Sequence, residues 1–335
     1  MFRTIVRAFG PPKEVVTGET CDPPPIPGPG QVLVRMLLAS INPSDLIPIT
    51  GAYRTRTSLP FVPGFEGVGM VEAVGAHVSE LKVGDRVLPL GSAGAWQDFK
   101  LSEEQWCFPV PADLTDQQAA MAYINPLTAW MMTKEYAPAP PATVVVNAAT
   151  SAIGQMIIRM LNRVGVRPIA LTRRPDVLDQ LMNGSDVTAV ICPHDGDLKQ
   201  RLYKLTESRG LNVAYDAVGG SEGNDLARSL ARGGRLIHYG LLSGVPLSPS
   251  LYRECPDVQI VLFRLRDWVH TSERRVIQSA LDEVFDLVRE GIAESKVARV
   301  FQLSSFKEAL DYEATLARNG KVLLSMSPDL TPMDP

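Results

Sequence analysis

Residues 143–164 constrain this chain more than any other stretch. Thr143-Val144-Val145-Val146 has the composition of a buried strand. After a loop of small residues, Ile153, Ile157, Met160, Leu161 and Val164 recur at spacings of three and four, the signature of one helical face. The same grammar continues downstream. Pro168-Ile169-Ala170-Leu171 and the segments 187–191, 211–215, 235–239 and 258–262 read as further strands. Pro175 suits the first position of an intervening helix and Gly184 its end, while Leu198, Leu202 and Leu205 mark another that stops near Gly210. Strands alternating with helices predict a parallel sheet with right-handed crossovers. Six of them fit the doubly wound α/β arrangement, a Rossmann sheet.

The flanks read differently. Up to about residue 120, Pro23-Pro24-Pro25, Pro27-Gly28-Pro29-Gly30 and the turn residues of 60–64 punctuate short runs such as Val32-Leu33-Val34-Arg35-Met36. That pattern predicts a mostly β domain. Beyond residue 267, Val276, Ile277, Ala280, Leu281, Val284, Phe285 and Val288 form a helical stripe. Strands are expected at 297–303 and 321–326, on either side of a helix at 306–317, and the tail from Pro328 is expected to be loosely held. The expected organisation is therefore 1–120, 121–267 and 268–335, the last segment returning to the domain of the first.

Composition narrows the function. Thirty-three basic against 37 acidic residues, a net charge of −4, argue against a nucleic-acid partner. No apolar run approaches the roughly 18 residues that span a bilayer, so no membrane association is expected. The opening Met1-Phe2-Arg3-Thr4-Ile5-Val6-Arg7 lacks a signal core, which makes the cytoplasm the expected location. Cys21, Cys107, Cys192 and Cys255 form no C-x-x-C pair, and His77, His194, His238 and His270 form no H-E-x-x-H, so no metal site is readable. His238, inside an apolar strand pattern, reads as a hydrogen-bonded core histidine.

The first strand–helix loop carries the clearest chemistry. In Asn147-Ala148-Ala149-Thr150-Ser151-Ala152-Ile153-Gly154 only the last glycine of a G-x-G-x-x-G pattern survives. Small side chains at Ala148, Ala149, Ser151 and Ala152 still permit close backbone approach, and Gly154 permits tight helix–strand packing. A phosphate there would meet free N–H groups and the positive end of a helix dipole. Ala149, Thr150, Ser151, Ala152 and Ile153 are thus candidate cofactor contacts; the alternative is a plain turn that binds no nucleotide. An NAD-binding sheet places an acid about 20 residues further on. Here stand Thr172, Arg173 and Arg174, the arginines 19 and 20 positions after Gly154. Guanidinium groups bind a 2′-phosphate through charge-assisted bonds, which favours NADPH over NADH. The alternative is a pair of solvated surface arginines.

Five further segments carry a family likeness. They are Ile41-Asn42-Pro43-Ser44-Asp45 leading to Gly51-Ala52-Tyr53, then Pro63-Gly64-Phe65-Glu66-Gly67-Val68-Gly69, then Tyr123-Ile124-Asn125-Pro126-Leu127-Thr128-Ala129, then Asp216-Ala217-Val218-Gly219-Gly220, then Gly240-Leu241-Leu242-Ser243-Gly244. In this order, over nearly the whole chain, they resemble the medium-chain dehydrogenase/reductase superfamily. The resemblance implies a GroES-like catalytic domain, built from both ends of the chain, around a Rossmann domain, with nicotinamide and substrate held in a cleft. Zinc alcohol dehydrogenases of that superfamily have a cysteine where Asn42 stands and a histidine where Phe65 stands. They also carry a four-cysteine lobe with no counterpart in 88–99. Glu66 remains, but one carboxylate does not make a catalytic zinc site. The chain therefore resembles the zinc-independent branch, which includes NADPH:quinone oxidoreductases and 2-enoyl thioester reductases. Asn-Pro-Ser-Asp at 42–45, the 125–129 motif, Asn147-Ala148 with Ser151, and 263–268 lean toward the enoyl reductases.

That resemblance implies hydride transfer from NADPH to the β-carbon of a carbonyl-conjugated alkene. Tyr53 matches the tyrosine that returns the proton, and Asn42 and Asn125 match positions near the nicotinamide; the alternatives are an aromatic that only lines the cleft and asparagines that only cap loops. Thr128 matches a position beside the cofactor, and Gly240, Leu241 and Ser243 pass the nicotinamide ribose. The segment 259–263 resembles an edge strand through which related proteins pair into homodimers. A quinone is the alternative acceptor, and an NADPH-binding structural or regulatory protein with little turnover is the alternative of another class.

Overall fold

The computed structural model describes residues 1–315 and 319–326. The chain divides into two compact units, one of Met1–Ile124 together with the residues from Val269 on, the other Asn125–Trp268. Among the described residues no helix is long and apolar enough to cross a membrane.

The Asn125–Trp268 unit is built on a six-stranded, wholly parallel sheet. Across the sheet the strands run Ala189–Ile191, Ile169–Leu171, Val144–Val146, Leu211–Asp216, Leu230–His238 and Gln259–Leu262. In chain order that is 3-2-1-4-5-6, the doubly wound order with a switch point between the first and fourth strands. Val144, Val145 and Val146 are at most 1% exposed, because crossover helices on both faces leave a central strand no solvent side. Helix Ala152–Arg163 buries Ile157, Met160 and Leu161 of the stripe read from the sequence, and Met156 besides, while Ile153 is half-buried and Val164 is exposed. Pro175 opens a short 3₁₀ turn, Pro175–Val177, that leads into helix Leu178–Gly184. Gln259–Leu262 is one of the two edge strands, with Leu262 64% exposed. Helix Ile124–Tyr136 was not legible beforehand. Asn125-Pro126 reads as a turn signal, yet a proline in the first helical turn sacrifices no hydrogen bond.

The other unit is mostly β. Its seven-stranded sheet follows the path Val297–Gln302, Lys321–Ser325, Gln31–Ser40, Gly67–Val74, Arg86–Pro89 and Cys107–Pro109, with Phe99–Glu103 also paired to Gln31–Ser40. Phe2–Val6 and Val16–Thr20 form a separate antiparallel pair. Val34, Met36, Ile41, Val87, Trp96, Phe306 and Leu324 belong to one core, so residues from both ends of the chain pack together. Helix Arg274–Arg289 buries Ile277, Ala280, Leu281, Val284, Phe285 and Val288; Val276, the remaining member of the expected stripe, is exposed. The helix expected at 306–317 spans Phe306–Glu313, and residues 316–318 and the tail from Pro328 lie outside the described residues.

Candidate active site

The short helix Pro43–Thr50 begins a buried polar network in the β-rich unit. Asn42 precedes it, and the Asp45 carboxylate reaches back to the Asn42 N–H (2.7 Å) while also accepting from the Phe65 N–H (2.8 Å). Desolvation pushes the fully buried Asp45 up to about 7, despite those two backbone donors. The Asn42 amide donates to Ser40 Oγ (2.7 Å) and Glu66 Oε2 (2.8 Å), and its Oδ1 accepts from Lys321 Nζ (2.7 Å). Ser40 Oγ donates to the same Glu66 oxygen at 2.6 Å. The other Glu66 oxygen accepts the backbone N–H groups of Tyr123 (2.8 Å) and Ile124 (2.7 Å), at the start of helix Ile124–Tyr136. Ser40, Asn42, Asp45 and Glu66 are at most 1% exposed. Both amide hydrogens of Asn42 are therefore committed inside the protein. The pairing of Lys321–Ser325 with the end of Gln31–Ser40 is what delivers Lys321 to it.

Tyr53 lies in the turn that follows this helix and is 47% exposed. Its carbonyl accepts the Arg56 N–H (2.8 Å), while no hydrogen bond joins its hydroxyl to Asn42 or any other described residue. Asn125 and Thr128 sit three residues apart on helix Ile124–Tyr136, a spacing that places them on one face. Asn125 is half-buried and Thr128 is 8% exposed.

The carboxyl ends of the parallel strands gather the remaining candidates. Ser151 caps helix Ala152–Arg163 by accepting the Gly154 N–H at 3.1 Å, which satisfies one of the orphan donors of the first turn. Ala149 is fully buried, Thr150 exposed, and Ala152 and Ile153 form the first helical turn. A Cβ at Gly154 would lie 2.6 Å from the Ala148 carbonyl oxygen, so only glycine lets the loop fold this tightly on the helix. At the end of the second strand, buried Thr172 takes the Arg174 N–H on its hydroxyl (3.2 Å), and Arg174 is paired with Asp176 (2.7 Å). Arg173 is exposed and forms no ion pair among the described residues. Gly240, Leu241 and Ser243 belong to the loop after Leu230–His238. Ser243 is bound to Val218 through its N–H (3.0 Å) and hydroxyl (2.6 Å), and a Cβ at Gly240 would lie 2.7 Å from the Ala217 carbonyl oxygen.

Asn147, Asp216 and His238, at the ends of the first, fourth and fifth strands, carried no site role in the sequence. Asp216, wholly buried, ends the fourth strand. It accepts from Asn147 Nδ2 (2.6 Å), the Val218 N–H (2.9 Å) and the Gly219 N–H (3.0 Å), and pairs with His238 Nδ1 at 2.7 Å. Burial alone would raise it, but the bonds from His238, Gly219 and Asn147 outweigh that and hold its carboxyl below the usual range. His238 is hydrogen-bonded, as expected, yet its side chain keeps 14% exposure. Glu222, on helix Gly220–Arg228, is pushed up to about 7 by burial and by the Asp216 charge. The available signal was positional: Asn147, Asp216 and His238 each stand at the carboxyl end of a strand. Among the described residues no three His, Cys, Asp or Glu side chains converge as a metal would require.

The strand order, the capped helix at the first loop and the strand-end polar cluster define a two-unit protein of the dinucleotide-dependent oxidoreductase type. Comparison with known proteins agrees. Residues 28–112 match the alcohol dehydrogenase GroES-like domain, and residues 152–289 match the family described as zinc-binding dehydrogenase. The chain is 30% identical over 326 residues to the human mitochondrial enoyl-[acyl-carrier-protein] reductase, covering 95% of this chain and 86% of that protein. Among solved structures, a Bacillus thuringiensis protein assigned as an NADPH:quinone reductase superposes with a TM-score of 0.90 at 35% identity, covering 97% and 99% of the two chains. A mycobacterial protein solved with NADPH superposes at 0.86 with 26% identity, covering 97% and 100%. The chain belongs to the medium-chain dehydrogenase/reductase superfamily, with a GroES-like unit and a Rossmann unit.

Proposed function

We propose that the protein reduces a carbon–carbon double bond conjugated to a carbonyl, with NADPH as reductant and a 2-enoyl thioester as the small-molecule substrate. The observation that carries this reading is the near-full-length likeness to the human enoyl-[acyl-carrier-protein] reductase. The residues of the Rossmann unit fit the cofactor: a capped helix start for the pyrophosphate, a glycine where a Cβ would clash, and an arginine in place of the ribose-binding acid.

When bound, NADPH supplies the hydride that reaches the β-carbon. Tyr53, whose hydroxyl is not consumed by the protein, is assigned as proton donor to the α-carbon. Asn42 is assigned a positioning role, since Ser40, Glu66 and Lys321 take up its whole amide. Asn125 and Thr128 are assigned to the nicotinamide side and Ala149, Thr150, Ser151, Ala152 and Ile153 to the pyrophosphate. Thr172, Arg173 and Arg174 are assigned to the 2′-phosphate, and Gly240, Leu241 and Ser243 to the nicotinamide ribose. Arg173 is the principal phosphate ligand of its pair, because Arg174 is already held by Asp176. A homodimer joined through the exposed edge strand and a cytoplasmic location complete the proposal; the human relative is mitochondrial by name.

A second reading, an NADPH:quinone oxidoreductase, is favoured by the 35% identity to the Bacillus protein. NADPH oxidation followed at the nicotinamide absorbance separates the two, using a ladder of 2-enoyl-CoA substrates beside simple quinones, with NADH controls. Saturable turnover on enoyl thioesters supports the first reading, and turnover on quinones alone replaces it with the second. NADPH binding without turnover on either would favour a structural or regulatory role.

A further inference from the structure

The Asp216–His238 pair stands where a dinucleotide would cross the sheet. The two residues are register partners at the ends of adjacent parallel strands. Asp216 is saturated with donors on its other side, from Asn147, Val218 and Gly219, so its carboxylate stays ionised and holds a proton on His238 Nδ1. The ring lies against Gly219, where an added Cβ would come within 3.2 Å of its Cε1. This fixes the imidazole from two sides, and Nε2 is the ring nitrogen that Asp216 does not engage. Nε2 has no partner among the described residues, and the side chain is 14% exposed.

Position on the sheet says which part of a ligand this nitrogen meets. The 2′-phosphate end belongs to the second strand, at Thr172 and Arg173, and the pyrophosphate belongs to the helix after the first strand. A dinucleotide so anchored continues across the switch point, over the ends of the fourth and fifth strands, which are Asp216 and His238. We infer that His238 binds NADPH through a hydrogen bond between Nε2 and a hydroxyl of the nicotinamide-side ribose. Asp216 is the positioning residue that holds the ring. The inference rests on the NADPH reading above and adds to it a contact outside the loop that follows the strand.

Calorimetric titration with three ligands tests it: NADPH, 2′-phospho-ADP-ribose, which keeps the second ribose, and 2′,5′-ADP, which lacks it. His238→Asn retains a donor toward Asp216 but removes Nε2. It is expected to weaken NADPH and 2′-phospho-ADP-ribose about tenfold, the loss of one hydrogen bond to a ligand, while 2′,5′-ADP stays within about twofold. His238→Gln, whose amide reaches the Nε2 position, is expected to recover most of that loss. Unchanged NADPH affinity in His238→Asn would overturn the inference. So would an equal loss on 2′,5′-ADP, which would make the pair purely structural. A wild-type protein that binds 2′,5′-ADP but neither longer ligand more tightly would overturn the ribose contact and leave the 2′-phosphate assignment standing. Failure of the wild type to bind any of the three would overturn the NADPH reading itself.

Discussion

Arg173 and Arg174 are adjacent and chemically identical, yet their surroundings give them different weight. Arg174 spends its guanidinium on Asp176, whereas Arg173 is exposed with no ion pair among the described residues. Arg173→Ala is therefore expected to weaken NADPH at least about tenfold while NADH changes little, and Arg174→Ala to have the smaller effect; fluorescence titration of both cofactors checks this. Tyr53→Phe is expected to lower turnover at least about tenfold with NADPH affinity unchanged. Equal turnover in the variant would remove Tyr53 from the chemistry. Asp45 carries a pH signature. Its native pKa of about 7 lies above that of an exposed aspartate, so the folded state holds the proton more tightly than the unfolded chain. Its contribution to stability is complete at low pH and is lost as pH rises through about 7. Melting measured from pH 5 to pH 8 should show that decline, and Asp45→Asn, which cannot ionise, should flatten it.

At the scale of the element, the loop from Asn147 to Gly154 shows how backbone geometry replaces a motif. The G-x-G-x-x-G pattern has lost its first two glycines, yet the loop keeps a left-handed residue, Ala148, with φ of +46°. An alanine held there costs about 1–2 kcal/mol. Ala148→Gly is accordingly expected to raise the melting temperature or leave it unchanged. Gly154→Ala is expected to destabilise by about 1–3 kcal/mol, since its Cβ would meet the Ala148 oxygen at 2.6 Å and the Ala149 Cα at 3.0 Å, both backbone atoms that cannot rotate away. In thermal melts only Gly154→Ala should therefore lower the transition. This element was legible because a valine strand, a small-residue loop and a 3.6-residue stripe are all local signals. Helix Ile124–Tyr136 was not, since its only strong local signal, Asn125-Pro126, favours a turn, and Glu66 supplies the cap from 57 residues away.

At the scale of the whole molecule, the edge strand Gln259–Leu262 exposes Leu262 beside unpaired backbone, the surface a second sheet would use. Leu262→Lys is expected to shift a dimer toward monomer in light scattering, and a wild-type protein already monomeric would remove that assignment. The six parallel strands and the arginine in place of an acid were both determined by the sequence. They rest on periodicity and on residue types at fixed short spacings. The polar network around Asn42 was decided only by tertiary structure. Lys321 stands 279 residues from Asn42 in the chain and arrives beside it through strand pairing. Likewise, nothing local marks Asp216 and His238 as partners; they stand 22 positions apart, and parallel register alone brings a carboxylate to an imidazole. Local patterns report what a residue's chain neighbours dictate, whereas a buried hydrogen bond depends on which distant strand the sheet places alongside.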